Sequence, residues 1–320
     1  MRTITNEPFT GAAKPQRGFW ANLGKKLWKS RVMYLFALPG TLYFLIYKYV
    51  PLLGSVIAFQ DYSPFQGFLH SDWVGLTHFR HIFDNSEVVQ VLINTLTLSF
   101  LQIAFAFPVP IVLALMLNEV KSEWFKRLIQ SFVYLPHFLS WVVVIGLVTI
   151  FLRSDGVINS LTAHFFGAEP VLFLQQPYLF KPLIVLEVIW KEAGWSTIVF
   201  LAALAGVNPE LYEAAIVDGA GRWRRIWSIT LPSIRSTIVI LLILRLGTVL
   251  DNGFEQIFLM LNPYVKEVGE VLDTYVYYKG VLQSDFSFAT AVGLFKSVVG
   301  LILVVAANKL SKRFGEDGIY

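Results

Sequence analysis

The chain has 320 residues, of which 55% are hydrophobic and only 15% charged, and its mean hydropathy is +0.59. Soluble domains carry about a quarter charged residues, so this composition excludes an ordinary soluble protein and indicates one embedded in a lipid bilayer. The chain has no cysteine, which excludes disulfides and thiolate metal sites. Its net charge of +4 does not indicate nucleic-acid binding, because the basic residues flank the apolar segments.

Six mostly apolar runs are long enough to cross a bilayer as helices, so the sequence predicts an all-α, polytopic membrane protein. The predicted spans are residues 32–59, 88–118, 130–152, 182–206, 234–261 and 286–308. Residues 1–30 are expected to form a cytoplasmic tail with a short interfacial helix at 19–28. We expect the transmembrane domain to cover 31–315 and a second cytoplasmic tail to cover 316–320.

The distribution of lysine and arginine predicts the orientation. With both termini placed in the cytoplasm, 17 of the 26 basic residues lie on the cytoplasmic side, five lie in the outer loops and four lie within spans. Positive charge is enriched on the cytoplasmic side of membrane proteins. The sequence therefore predicts a multi-pass protein with both termini in the cytoplasm.

The cytoplasmic segment between the fourth and fifth spans, residues 208–234, has the pattern of a helix, a tight turn and a second helix. Asn208 and Pro209 suit the N-cap and first position of a helix. Residues 218–221, Asp-Gly-Ala-Gly, predict a sharp turn. Trp223 and Trp227 are one helical turn apart, as expected at a membrane interface. The small residues at the turn would allow another protein to approach closely.

This segment resembles the EAA motif of the permease subunits of ABC importers. Glu213-Ala214-Ala215, three residues, Gly219, nine residues, Ile229, one residue and Leu231-Pro232 reproduce the spacing of the motif. The resemblance covers about residues 30–315 and implies the type I ABC importer permease fold. It also implies that the loop is a coupling helix that docks on an ATPase subunit through Glu213, Ala214, Ala215, Asp218, Gly219, Ala220, Ile229, Leu231 and Pro232.

The resemblance implies a set of partners. These are a second permease subunit, homologous but not identical, two ATPase subunits and an extracytoplasmic solute-binding protein, in a bacterial inner membrane. ATP and Mg²⁺ would bind the ATPase subunits, since this chain has no G-x-x-x-x-G-K-[ST] phosphate loop. We therefore expect no cofactor on this chain and no enzymatic activity of its own.

Charged and aromatic residues inside the later spans are candidates for the substrate path, because ionisable groups in a bilayer usually face a cavity or one another. Aromatic rings stack on sugar rings and polar groups bond to their hydroxyls. Two alternatives stay open: Glu187 and Lys191, one turn apart, neutralise each other, and Arg245 pairs with a carboxylate. The candidates are Trp190, Lys191, Glu192, Trp195, Arg245, Asp251, Asn252, Glu255, Gln256 and Lys296.

The outer loop at residues 62–83 and the last span at 288–313 resemble permeases for oligosaccharides, a group that includes importers of alginate-type acidic sugars. The resemblance implies an oligosaccharide as solute, and a uronate-containing one as a narrower expectation. Basic residues in the spans are mixed with acidic ones, so they are only weak support for an anionic solute.

Two other classes of function fit the sequence less well. An ion-coupled secondary transporter or channel would use the same polar spans, but it has no need of a coupling loop. A membrane-embedded enzyme would need a catalytic arrangement, and the sequence contains no H-E-x-x-H motif. The five histidines have no convincing metal spacing, so no metal site is expected. The sequence favours the importer permease.

Overall fold

The computed structural model describes residues 28–313 and 315, and most of them are helical. The predicted interfacial helix up to residue 27, most of the predicted N-terminal tail and all of the predicted C-terminal tail lie outside the described residues. The described residues divide into two units, one ending at Ser55 and the other beginning at Val56. The described part of the first unit is a helix that starts at Arg31 and continues as a π-helical turn at Leu45–Tyr49. The helix before this turn is α1 (Arg31–Phe44), and the helix after it is α2 (Val50–Leu53).

The second unit begins with a small outer substructure and the second and third spans. A two-stranded antiparallel sheet pairs Gln60 with Trp73. The strands are β1 (Gln60–Asp61) and β2 (Asp72–Trp73). The helices are α3 (Gly67–His70), α4 (Thr77–Asp84), α5 (Ser86–Leu101), α6 (Pro108–Glu119), α7 (Glu123–Tyr134), α8 (Trp141–Leu152) and α9 (Val157–Phe166).

The later half of the unit contains the two longest helices. They are α10 (Pro177–Ala205) and α18 (Phe286–Arg313). Between them lie α11 (Pro209–Val217), α12 (Arg222–Arg225), α13 (Leu231–Ser233), α14 (Arg235–Gly247), α15 (Phe254–Met260), α16 (Lys266–Gly269) and α17 (Leu272–Val276). A π-helical turn at Gln102–Ala106 joins α5 to α6, just before Pro108, which cannot donate a backbone hydrogen bond.

Within the described residues, five helical segments are long and apolar enough to cross a membrane, and a bent pair could make a sixth. The five are Arg31–Phe59, Ser86–Glu119, Trp141–Phe166, Pro177–Ala205 and Phe286–Arg313. The all-α, polytopic fold expected from the sequence is thereby confirmed. The bent pair consists of Arg222–Ser233 and Arg235–Gly247, which meet at an angle of 59°.

Two predicted spans have different boundaries in the structure. The run at 130–152 is broken at Leu135–Phe138, and a new helix starts at Trp141, where Ser140 Oγ accepts a hydrogen bond from Val143 N. The predicted fifth span, 234–261, is interrupted after Gly247 and resumes at α15. Gly253, with φ of 82°, precedes the new helix. A hydropathy profile does not detect these breaks, because the helical segments on both sides of each are mostly apolar.

Close backbone contacts set the packing of the long helices. A Cβ atom on Gly300 of α18 would lie 2.6 Å from the carbonyl oxygen of Gly247 at the end of α14. A Cβ atom on Gly194 of α10 would lie 2.0 Å from the carbonyl oxygen of Val133 in α7. Glycine at these positions lets helix backbones touch, as is common in membrane bundles. These contacts join α18 to α14 and α10 to α7.

Candidate functional site

A cavity of about 490 Å³ opens near the middle of α10. The π-helical turn and start of α6, the middle of α10 and the end of α14 enclose it. Most of its surface is apolar, with a few polar side chains. It is lined by Gln102, Ala106, Phe107, Pro110, Val188, Ile189, Glu192, Ala193, Trp195, Ser196, Val199, Phe200, Leu241, Leu244, Arg245 and Thr248.

Helical periodicity brings the α10 residues to this cavity. Val188, Glu192, Trp195 and Val199 recur every three or four residues, so they lie on one face of the helix. Trp190 lies on another face, is half exposed and does not line the cavity. The cavity therefore has an aromatic wall and one carboxylate contributed by α10.

Glu192 belongs to a polar group at the edge of the cavity. Its Oε2 lies 2.8 Å from His137 Nδ1, and its Oε1 lies 3.3 Å from Lys191 Nζ. Lys191 Nζ also donates to the His137 carbonyl oxygen at 2.8 Å and lies 5.4 Å from the centre of the Trp141 ring. The His137 ring stacks on Trp195, with ring centres 4.6 Å apart and planes 6° from parallel. The negative charge of Glu192 is thus balanced by Lys191 within the same group.

Arg245 approaches the cavity from α14 and has different surroundings. Its Nη2 donates a hydrogen bond to Gln102 Oε1, a neutral acceptor on the π-helical turn. Asp251 acts on Arg245 electrostatically but forms its ion pair with Lys296 instead. Among the residues that the structure describes, no carboxylate lies within ion-pair distance of Arg245. The expected alternative, in which Arg245 pairs with a carboxylate, is wrong at the level of direct contact.

A second polar group surrounds the break after α14. Lys296 Nζ lies 2.6 Å from Asp251 Oδ1 and also bonds to Asp273 Oδ1. Asp273 Oδ2 accepts a hydrogen bond from Asn252 N at 3.4 Å. This group joins the break to α17 and α18. Two carboxylates face one ammonium, so it carries one net negative charge.

Asn252 forms hydrogen bonds through both ends of its side-chain amide. Its Nδ2 donates to the Thr95 carbonyl oxygen at 3.0 Å, and its Oδ1 accepts from Ser99 Oγ at 3.1 Å. Only 2% of Asn252 is exposed. Because both ends of its amide are bonded to α5, the structure places it in packing between helices and away from the cavity.

Gln256 and Glu187 form a third polar group, and both side chains are buried. Gln256 Nε2 donates to Glu187 Oε2 at 2.7 Å and to the Ile184 carbonyl oxygen at 3.0 Å. Since Lys191 bonds to Glu192 and His137, the expected neutralisation of Glu187 by Lys191 is wrong. Glu255, on the same helix as Gln256, is exposed.

The cavity thus brings together three of the ten residues expected on the substrate path, Glu192, Trp195 and Arg245. The role of all ten in solute contact stays a prediction. Gln102 and Asp273 are not among the residues expected from the sequence. Gln102 carries no charge, and Asp273 lies in a predicted outer loop. The apolar residues on both sides of Asp273, Leu272 and Tyr275, were the available signal that this loop is buried.

Residues 208–234 form the expected helix, turn and second helix. Asn208 Oδ1 caps α11 by accepting from Glu210 N at 3.0 Å. The turn contains Gly219 with φ of 74°, and Ala220 N donates to the Ala215 carbonyl oxygen at 2.8 Å. A left-handed glycine at this position is a common helix ending. The second helical stretch runs from α12 through a π-helical turn to α13, and Tyr212 OH donates to Thr230 Oγ1 at 3.1 Å across the two helices.

The surface of this loop is exposed and partly apolar. Val217 is 88% exposed and Trp223 is 77% exposed, and both lie beside the Gly219 turn. Glu213, Ala214 and Asp218 are exposed as well. Large exposed apolar groups around small residues are typical of a surface that another protein covers. Its role in coupling is a prediction that the geometry allows.

Comparisons with known proteins agree with this arrangement. Residues 106–316 match the family described as binding-protein-dependent transport system inner membrane component. The chain is 55% identical over 296 residues to the polygalacturonan/rhamnogalacturonan transport system permease protein YteP of Bacillus subtilis (strain 168), covering 92% of each chain. It is 52% identical over 293 residues to Protein LplB of the same organism, covering 91% of this chain and 92% of that one.

The fold also matches solved structures. One chain of a bacterial alginate ABC transporter, in complex with an alginate pentasaccharide-bound periplasmic protein, superposes with a TM-score of 0.86 at 42% identity. The match covers 93% of this chain and 100% of that chain. A chain of a second structure, a bacterial ABC transporter involved in the import of alginate, gives a TM-score of 0.85 at 43% identity, covering 91% of this chain and 99% of that chain. Since the family match spans most of the chain and the relatives cover nearly all of it, this protein belongs to the binding-protein-dependent transport system inner membrane components, the permease subunits of ABC importers.

Proposed function

We propose that this permease imports an acidic, uronate-containing oligosaccharide. The observation that carries the proposal is the likeness, over nine-tenths of the chain, to a permease named for polygalacturonan and rhamnogalacturonan and to a transporter of alginate. Polygalacturonan and alginate are both polymers of uronic acids. Their shared chemistry is a sugar ring that bears a carboxylate.

The cavity supports this proposal chemically. Its volume of about 490 Å³ lies within the range of ligand pockets, about 300–1,000 Å³. Trp195 offers a ring for stacking on a sugar, while Ser196 and Thr248 offer hydroxyls. The cavity therefore combines an apolar wall with a few polar groups, as a carbohydrate path requires.

Transport would be driven by two ATPase subunits, one of which contacts residues 208–234, with a second, homologous permease completing the path. The exposed apolar side chains beside the Gly219 turn support such a contact. The contact set that we propose is Glu213, Ala214, Ala215, Asp218, Gly219, Ala220, Ile229, Leu231 and Pro232. An extracytoplasmic binding protein would deliver the solute to the opposite face, and ATP would be hydrolysed only on the partner subunits.

This assignment places both termini and residues 208–234 in the cytoplasm. The 17 basic residues on that side against five on the other support it. We further propose the division into a transmembrane domain at 31–315 with tails at 1–30 and 316–320. A reporter that is active only outside the cytoplasm, fused after Tyr320, should be silent, and an active fusion would contradict the orientation.

The function is tested in proteoliposomes that contain the complete complex, with the binding protein added outside. We expect uptake of oligogalacturonate with ATP inside, no uptake without ATP, and no uptake of a neutral oligosaccharide of equal length. An ionophore should leave uptake unchanged. Uptake that needs an ion gradient and not ATP would contradict the proposal and favour a secondary transporter.

A further inference from the structure

The positive charges inside the later spans differ in how they are compensated. Lys296 contacts two carboxylates, Asp251 and Asp273. Lys191 contacts Glu192. A cation at membrane depth costs free energy unless an anion or a strong dipole compensates it. The charges of these two lysines are therefore compensated by carboxylates of the same chain.

Arg245 is compensated less well. Its guanidinium has five N–H donors, and one of them donates to the neutral Gln102 amide. Among the described residues, no other side chain accepts a hydrogen bond from the remaining donors. The residue lines the cavity and is half buried, so a ligand in the cavity can reach its side chain.

Glu192, the other charged residue that lines the cavity, does not form an ion pair with Arg245. Glu192 is held by His137 and Lys191 at the wall formed by α10. Asp251, which acts on Arg245 at longer range, is bonded to Lys296. An anion that enters the cavity therefore meets a cation that has no ion-pair partner of its own.

We propose that Arg245 binds the carboxylate of a uronate ring in the cavity and that it selects the free acid over its methyl ester. This rests on the proposed function and identifies the residue that reads the acidic group. A planar guanidinium can bond a carboxylate through two parallel N–H groups. Gln102 accepts one hydrogen bond from Nη2, which leaves four N–H donors of the group for an anion.

A methyl ester keeps the shape of the sugar but removes its charge. The ester oxygens accept weaker hydrogen bonds and leave the cation of Arg245 uncompensated, so the ester should bind less tightly. Esterification should not change the contact with the nearby Trp195 ring, because that ring would contact the sugar by stacking. Discrimination between the two ligands should therefore depend on Arg245 and not on the aromatic wall.

The test uses the purified complex of both permeases and both ATPases, without the binding protein, so that only selectivity within the complex is measured. Oligogalacturonate and its methyl ester, of equal length, are titrated by calorimetry. We expect wild type to bind the acid about ten- to a hundredfold more tightly than the ester. Arg245→Gln should remove this preference by weakening the acid and leaving the ester unchanged.

Two further variants separate recognition from folding. Gln102→Glu keeps Arg245 but places a carboxylate on its hydrogen-bond partner, so it should also abolish the preference for the acid. Arg153→Gln removes one positive charge from an exposed ion pair with Asp155, outside the cavity, and should keep the wild-type preference. If Arg245→Gln does not assemble, Gln102→Glu alone decides.

Two results would count against these ideas in different ways. If the complex imports oligogalacturonate but the Arg245 and Gln102 variants keep a wild-type preference for the acid, the role of Arg245 is wrong and the proposed function stands. If wild type neither binds nor imports oligogalacturonate while it imports a neutral oligosaccharide, the acidic solute itself is wrong.

Discussion

Lys296 Nζ lies 2.6 Å from Asp251 Oδ1, and this contact ties the last membrane helix to the break that follows α14. The same nitrogen bonds to Asp273, which precedes the last span in the chain. Three separate segments of the chain thus meet at one ammonium group. The side chains of Lys296 and Asp273 are only 14% and 21% exposed, whereas that of Asp251 is 60% exposed.

Lys296→Met should destabilise the protein strongly, because it leaves Asp273 with an uncompensated charge at a mostly buried site. Removing one partner of a buried ion pair costs about 3–5 kcal/mol. Asp251→Asn should cost at most about 1 kcal/mol, since an exposed pair contributes little. Thermal unfolding of the purified protein measures both. The double variant Lys296→Met with Asp273→Asn should recover part of the loss, and equal destabilisation by the Asp251 and Lys296 variants would contradict this account.

Gly219→Val should insert in the membrane but lose ATP-dependent uptake. Its φ of 74° is unfavourable for a β-branched residue, and strain of this kind costs on the order of 1–3 kcal/mol. The valine would also enlarge the surface that is proposed to meet the ATPase. Gly221→Val is the matched control, because Gly221 has φ of −67° and open space around it.

The measurements are the amount in the membrane, copurification of the ATPase and uptake. Gly221→Val should resemble wild type more closely than Gly219→Val in all three. Normal copurification and normal uptake for Gly219→Val would reject a coupling role for this turn.

Gly194→Ala should disrupt the packing of α10 on α7. The added methyl group would lie 2.0 Å from the carbonyl oxygen of Val133, and a backbone atom in a helix cannot move aside easily. Overpacking costs about 1–3 kcal/mol or more. Gly146→Ala, with nothing within 4 Å of its added carbon, is the control and should be close to neutral. An unchanged unfolding temperature for Gly194→Ala would mean that the two helices do not approach as described.

Trp195→Ala should raise the KM for uptake about two- to tenfold, the equivalent of losing an aromatic contact of about 0.5–1.5 kcal/mol. Trp195 lines the cavity, whereas Trp190 does not. Trp190→Ala is therefore the comparison variant and should change the KM less than Trp195→Ala. Because Trp195 also stacks on His137, the unfolding temperature must be compared as well. Equal KM values for the two variants would remove Trp195 from the solute path.

The sequence alone determined the class of protein, most of its spans and the loop at 208–234. Long apolar runs must form helices in a bilayer, since each backbone N–H and C=O needs a partner that lipid does not offer. Local chemistry was enough for the loop as well, because Asn208 and Gly219 act on their own neighbours as a cap and a turn.

Tertiary structure decided how the polar residues are used. Asn252 and Arg245 are only seven positions apart, yet one is bonded between helices and the other faces the cavity. Lys296 pairs with Asp273 and Glu187 with Gln256, partners that the spacing along one helix does not indicate. These choices depend on which faces of distant helices meet, and that is set by packing contacts such as Gly194 against Val133, whose effect appears only when the whole bundle is assembled.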